Sequence, residues 1–452
     1  MKQFSRREFL RTASLTTAGI LLAACVPAVQ QVEQGAPAAS QEEAPAGTPA
    51  VEKVELLVWD GFQAQSPAVD QLVANFNEAN PDVAIKREVQ PNMRDILKTA
   101  LEGGVGPDVM YYDTGPGFAG VLARADLVLS LDEAYDQFGW TERIFPLAKE
   151  RTSFDGKTFG IGHELEFIGV FYNQRIFEEQ GLSEPKTHDE FITLAEKLKE
   201  AGLIPLAFAD QNKWPAGHML SVFGGYIAGQ EKLAAAISGE VPWNDPDFVQ
   251  AIQLFFVDMH QAGYFIPEVN AVTYDDANLL FYNGQAAMNL TGSWMVGSYT
   301  NPEVMVDPVG FFFYPPIGGK PIAPPAGLGS GYFVSKEVKN PQAAFRFLDY
   351  LFSEEAAKIW IEGASFIPPI AVNVEEYQIP DLMRFVITSL QENAELMGFN
   401  IDVLTPDNFN TMMFDGFQEV LAGTKTAQEQ ADDLEKAMAE ARADGTVMDI
   451  TP

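Results

Sequence analysis

The chain has little that could staple, redox-cycle or hold a transition metal. One of its 452 residues is cysteine, so no disulfide can form within it. Its four histidines are scattered, which with a single thiol argues against a zinc site. Positive charge is scarce too: 29 Lys and Arg stand against 63 Asp and Glu, a formal net charge of −34. A nucleic-acid or polyphosphate partner needs a basic footprint, which is missing here. Long apolar runs are also absent. The stretch ending Ile20-Leu21-Leu22-Ala23-Ala24 is short of the roughly 20 residues that span a bilayer, and no later one is longer. What is present is 47% hydrophobic and 12% aromatic residues, enough for a large core in more than one domain. The acidic balance suits a soluble body with a neutral or cationic ligand.

The first residues read as an address. Lys2, Arg6, Arg7 and Arg11 precede a short apolar core that ends in small residues, the pattern of a secretory signal peptide over residues 1–24. Ser5-Arg6-Arg7-Glu8-Phe9-Leu10-Arg11 resembles the twin-arginine signal, whose cargo crosses the membrane folded; an ordinary charged leader is the alternative. Leu22-Ala23-Ala24-Cys25 resembles a lipobox, in which the cysteine is acylated and becomes the first mature residue. The sole cysteine stands where cleavage would fall, which favours a lipid attachment at Cys25 over a stray thiol. The expected location is extracytoplasmic, at the outer face of the cell membrane or in the periplasm. Residues 25–52 are rich in Pro, Ala, Gln and Glu without apolar periodicity, and read as a tether.

Beyond the tether, strands and helices alternate. The apolar pattern predicts strands at 54–59, 83–89 and 107–112, and helices over 68–77, 94–102 and 118–125. Such alternation with short loops predicts an α/β fold with a parallel sheet. Thr187 with Glu190 three residues on reads as a capping box opening a helix to Ala201. Helices are also expected over 217–227, 246–261 and 426–443. Further strands are expected at 286–290, 309–314 and 332–335.

Several segments, in order, carry a resemblance. They include LLVWDGF at 56–62, PDVMYYDTGPGF at 107–118, DGKTFGIGHELEFIGVFYNQRIFEEQGL at 155–182, FYNGQAAMNLTGSW at 281–294 and the block from Gly327 to Trp360. Together they resemble the family 1 extracellular solute-binding proteins, the maltose and multiple-sugar receptors of ABC importers. The resemblance implies an α/β, two-lobed periplasmic-binding-protein fold (type II-like) with ligand in the cleft. Lobe one would be 53–164 plus 321–367, and lobe two 167–319 plus 370–450. Hinge crossings would fall at Gly162–Phe167, in the proline-rich stretch around Pro316, and at Pro368, since proline fixes the backbone at such bends. It further implies a small-molecule sugar as ligand, no cofactor, no catalysis, an ABC permease and its ATPase as partners, and a membrane-anchored monomer.

In open α/β sheets ligands lie beyond the carboxyl ends of strands, which selects the loops after Trp59, Tyr112 and Leu290. Carboxylates accept paired sugar hydroxyls in charge-assisted bonds, and aromatic faces stack on the apolar side of a pyranose. The candidates on these grounds are Asp60, Phe62, Gln63, Asp113, Glu164, Glu166, Trp214, Trp294 and Tyr332, with Tyr112, Thr114, His163 and Asn212 beside them. Core is the competing assignment for each aromatic, and turn capping for Asp60 and Glu164. Glu164 and Glu166 would share one face of a strand and could hold ligand against both lobes.

Other classes have weaker support. Gly115-Pro116-Gly117-Phe118-Ala119-Gly120 is a literal G-x-G-x-x-G, but it follows the third strand, and Pro116 removes an N–H from the phosphate cradle. A glycosidase needs two facing carboxyls, and no pair is singled out. His163-Glu164-Leu165-Glu166-Phe167 lacks the second histidine of H-E-x-x-H. A polyamine would suit the acids but not the tryptophans.

Overall fold

The computed structural model describes residues 53–450 apart from 64, 372, 374, 376, 394–395 and 449. The expected leader, the lipidated Cys25 and the tether lie outside the described residues. No helix among the described residues is long and apolar enough to cross a membrane.

Two mixed sheets, each clad in helices, form a two-lobed α/β structure. In the first, β1 (Val54–Asp60) pairs in parallel with β2 (Val83–Val89) and β3 (Val109–Asp113). The helix Ser66–Ala79 between β1 and β2 buries Ala68, Val69, Leu72 and Phe76, one stripe at helical spacing. Met93–Glu102 likewise buries Met93, Leu97 and Leu101. Two strands complete the sheet: β12 (Ser330–Val334) lies antiparallel to β3, and β6 (Gly160–Gly162) antiparallel to β12, while β4 (Ser153–Phe154) and β5 (Lys157–Thr158) pair apart from it.

The second sheet is centred on β7 (Glu166–Asn173). One edge of β7 pairs with β9 (Ala286–Gly292), which in turn pairs with β8 (Ile204–Leu206). Its other edge is shared by β10 (Val309–Phe312) and β11 (Pro325–Gly327), and β13 (Gly398–Phe399) extends β11. The helix Asp407–Leu421 packs against the helical segment Gln253–Met259, with Phe417 stacked on Phe256 at 4.1 Å.

Several local expectations need correction. Thr187 accepts from the Glu190 N–H, but the Glu190 carboxylate reaches back to the Lys186 N–H instead of that of Thr187; the reciprocal box forms at Thr426 and Glu429. The helix expected over 246–261 runs as α-helix from Pro246 to Ile252 and as π-helix from Gln253 to Met259. Residues 325–327, assigned to lobe one, hydrogen-bond to the second sheet. Among the described residues the chain passes between the two sheets three times. It goes from Gly162 to Glu166, and returns at Leu328-Gly329. The last passage lies near Pro368, where the Ile367 carbonyl accepts from the Leu165 N–H at 3.0 Å. Pro316 is therefore not at a passage: its carbonyl accepts from His188 N–H before β11 begins. A Cβ on Gly329 would stand 2.2 Å from a Glu166 carboxylate oxygen, so the bare residue leaves that side chain its place beside the passage.

Candidate functional site

A cavity of about 560 Å³ is walled by both sheets. The first contributes Tyr111, Tyr112 and Asp113 from β3 and Ser330 from β12; the second contributes Glu166 from the start of β7. Trp214, His218, Trp294, Asn400 and Asp402 close it.

Its polar centre is Arg94. The guanidinium donates to both oxygens of Asp113, at 2.8 and 2.9 Å, and stands 3.8 Å from Asp402. It also lies over the rings of Phe118, at 4.8 Å, and Trp214, at 5.9 Å. Burial works against its charge, but Asp113 and Asp402 outweigh that and raise its pKa. Asp402 is fully buried, and its carboxylate oxygens complete no hydrogen bond among the described residues, though the Val403 N–H lies near enough to favour the ionised form. Burial pushes Asp402 up to about 6 despite Arg94. His218, 3.7 Å from Asp402, is driven down to about 3 by burial and then by Arg94, so the contact joins an acid to a neutral imidazole. Glu166, half-buried at the cavity wall, titrates well above the usual carboxylate range because loss of water disfavours its charge and it faces the charges of Asp113 and Asp402.

The aromatic wall is set by local backbone. Lys213 has φ 68 and ψ −41, and the Trp214 N–H donates to the Asn212 carbonyl at 2.8 Å. That is a γ-turn with positive φ at its centre, a strained form for a non-glycine residue. It starts the helix Trp214–Ala228 with the first indole at the cavity. Trp294 follows β9, and its ring lies where a Cβ on Gly292 would be, 1.8 Å away. The two indoles are 6.2 Å apart at 64°.

Residues 61–358 match the family model described as bacterial extracellular solute-binding protein. The chain belongs to that family. It is similar to an uncharacterized ABC transporter extracellular-binding protein of Pyrococcus horikoshii, 27% identical over 72% of this chain and 73% of the relative. It is also similar to the maltotriose-binding protein of Pyrococcus abyssi, 25% identical over 72% of this chain and 68% of the relative. Among solved structures, a chitin oligosaccharide binding protein superposes with a TM-score of 0.78 at 23% identity, covering 87% of this chain and 100% of the other. The protein is thus an extracytoplasmic solute-binding protein of the ABC-transporter type, with the two-lobed periplasmic-binding-protein architecture.

Within this solute-binding protein the expected site residues separate. Asp113, Glu166, Trp214 and Trp294 line the cavity, with Tyr112 and Asn212. Asp60 does not: it is buried and held by Arg87 at 2.6 and 2.8 Å. Phe62 packs on Tyr111 at 4.4 Å in the core, and Gln63 is exposed away from the cavity. Glu164 is buried outside the lining, where burial and Glu166 raise its pKa. Tyr332 shares the β12 face of Ser330 but sits buried among Tyr111, His163 and Phe352, outside the cavity lining. Thr114 donates to the Leu328 carbonyl at 2.7 Å, and His163 is sealed among aromatic rings.

Sequence reasoning missed Arg94, His218, Asn400 and Asp402. A signal existed for Arg94: a cation in a helix's first turn opposes the helix dipole, so it needs a partner elsewhere. The G-x-G-x-x-G glycines are used by the chain itself. A Cβ on Gly115 would lie 1.9 Å from the Val403 carbonyl oxygen, and one on Gly117 2.6 Å from Asn410, leaving no cradle for a pyrophosphate.

Proposed function

We propose that this solute-binding protein captures a neutral carbohydrate and delivers it to an ABC permease driven by its ATPase. The carrying observation is one cavity, walled by both sheets, that gathers two tryptophans and the carboxylates of Asp113, Glu166 and Asp402. Aromatic faces and carboxylates are the two groups a sugar's C–H face and hydroxyl edge require. The cations at the cavity are engaged: Arg94 by Asp113, and Lys213 by Asp415 at 2.6 Å. An anionic sugar would therefore meet carboxylates without a free countercharge. The names of the maltotriose-binding and chitin oligosaccharide binding proteins support the same reading.

The lobes, in this proposal, move about the three passages at 163–165, 328–329 and 367–369, and a sugar touching both favours closure by its differential contacts. The twin-arginine leader and the lipid at Cys25 belong to the proposal as well, the first to export the receptor and the second to hold it at the membrane. The surplus of carboxylates favours a second reading, a cationic solute such as a polyamine.

A melting screen separates the two readings. Maltotriose, xylotriose, diacetylchitobiose and galactotriose are tested beside their uronate counterparts and spermidine. A sugar present at a hundred times its Kd should stabilise the protein by about 2.7 kcal/mol and be recovered uncleaved. A response to spermidine or to uronates alone would overturn the neutral-carbohydrate reading.

A further inference from the structure

We infer that Tyr274, which does not line the cavity, sets the positions of both tryptophans that do. Three separate contacts carry this. The Tyr274 hydroxyl accepts the Trp294 indole N–H at 3.0 Å and is fixed in turn by the Thr291 hydroxyl at 2.7 Å. Its ring lies 4.5 Å from that of Trp214, tilted by 56°. Its backbone N–H donates to the Asn212 side-chain oxygen at 2.8 Å, and the Asn212 carbonyl closes the γ-turn that presents Trp214. Tyr274 itself is fixed as the first residue of the helix Tyr274–Tyr282, whose cap Thr273 accepts the Asp276 N–H. One residue on a rigid element thus holds one indole through its nitrogen and the other through its face and its turn. A stacking wall that is held before ligand arrives loses less freedom on binding.

The inference rests on the carbohydrate reading only for its effect on affinity, so the test has two arms. In the ligand-free arm, 15N-labelled indole spectra are compared for the native chain and Tyr274→Phe, with the Trp294 resonance assigned by Trp294→Phe. The Trp294 indole N–H should shift upfield and exchange with water several-fold faster, because its acceptor is gone. An unmoved resonance would overturn the inference whatever the protein binds. In the binding arm, calorimetry with the sugar that raised the melting temperature should show about a fivefold weaker Kd for Tyr274→Phe, the size of one lost hydrogen bond.

The decisive step removes Trp294 as well. If Tyr274 acts through it, Tyr274→Phe should cost almost nothing in a Trp294→Ala background. An undiminished fivefold loss there would mean that Tyr274 acts by another route and would overturn the positioning role. Thr291→Val, which frees the same hydroxyl from its other partner, should shift the indole resonance in the same direction by less; an unmoved resonance counts against the inference. Should none of the sugars bind the native chain, the functional reading fails and the indole resonance alone decides the positioning claim.

Discussion

Two aspartate–arginine pairs stand at the carboxyl ends of neighbouring parallel strands, and they have opposite fates. Asp60 ends β1 and takes Arg87; Asp113 ends β3 and takes Arg94. In each, one guanidinium spans both carboxylate oxygens. Around the first pair every remaining group is engaged: Arg87 also donates to Asp70, Ser66 and the Phe62 carbonyl, and Asp60 accepts the Phe62 N–H. Around the second, one Arg94 nitrogen has no partner among the described residues, and Asp402 waits 3.8 Å away with its carboxylate oxygens likewise unsatisfied. The first pair is saturated and serves the fold. The second keeps hydrogen-bonding capacity, and a ligand is what can use it. Position at a strand end is common to both; residual capacity is what distinguishes a site.

The largest expected effect tests the saturated pair. Asp60→Ala leaves a largely buried guanidinium short of its countercharge, and should destabilise the protein by about 3 kcal/mol in urea unfolding. The affinity of the folded fraction should not change. Asp113→Ala should do the reverse, costing about 1 kcal/mol of stability, since Arg94 is partly exposed and retains Asp402. It should weaken sugar binding at least tenfold, because the charge-assisted acceptor is gone. If Asp60→Ala weakened binding more than Asp113→Ala did, the comparison would break.

A smaller effect moves Asp402 without altering any charge. Gly115 and Gly104 both have positive φ, at 84 and 67, so alanine incurs a similar backbone cost of about 1 kcal/mol at either. Nothing lies near a Cβ at Gly104, whereas one at Gly115 would meet Val403, the neighbour of Asp402. Gly104→Ala should leave affinity alone. Gly115→Ala should push the 402–403 backbone off Arg94 and weaken binding several-fold, with a further stability loss of about 1 kcal/mol. Equal affinities for the two variants would show that the approach of Asp402 to Arg94 is not part of the site.

What was legible in the sequence follows from range. β1 and β3 show as short apolar runs, β2 as an alternation, and the helix Ser66–Ala79 as a stripe at 68, 69, 72 and 76, because those patterns are local. Asp113, Glu166, Trp214 and Trp294 were legible because each sits at the end of such an element or in a polar loop beside one. Asp60 and Tyr332 obey the same local rule, and only tertiary partners exclude them from the cavity. β11 and β13 have three and two residues, too few for any period to show. Arg94, His218 and Asp402 come from distant stretches of the chain, and their meeting is a property of how the two sheets lie together. Pro316 misled because proline marks a bend without saying whether the chain then leaves its sheet.

The smallest effect is one of pH, and it isolates Asp402, the second acid of the open pair, whose counterpart Asp70 at the saturated pair is exposed and accepts from Arg87. Asp402 faces Arg94 and Asp113 from the first sheet's side and His218 from the second, and Glu166 feels its charge. Its pKa stands at about 6 against 3.8 when unfolded, with burial the first cause. The folded state therefore binds its proton more tightly than the unfolded state does. The stability this provides is fully present below 3.8 and is lost as pH rises through about 6. Because Glu166 titrates as part of the same cluster, the change should be spread over a wider range than a single group would give. Many other carboxylates contribute to the overall slope, so the quantity to measure is the stability of the native chain minus that of Asp402→Asn. That difference should fall by on the order of 1 kcal/mol between pH 4 and pH 7. A saturating neutral sugar that donates hydroxyls to Asp402 stabilises its ionised form, and should flatten the difference. A difference that is flat without ligand, or that rises with pH, would mean that Arg94 already satisfies Asp402, and the second pair would then be as complete as the first.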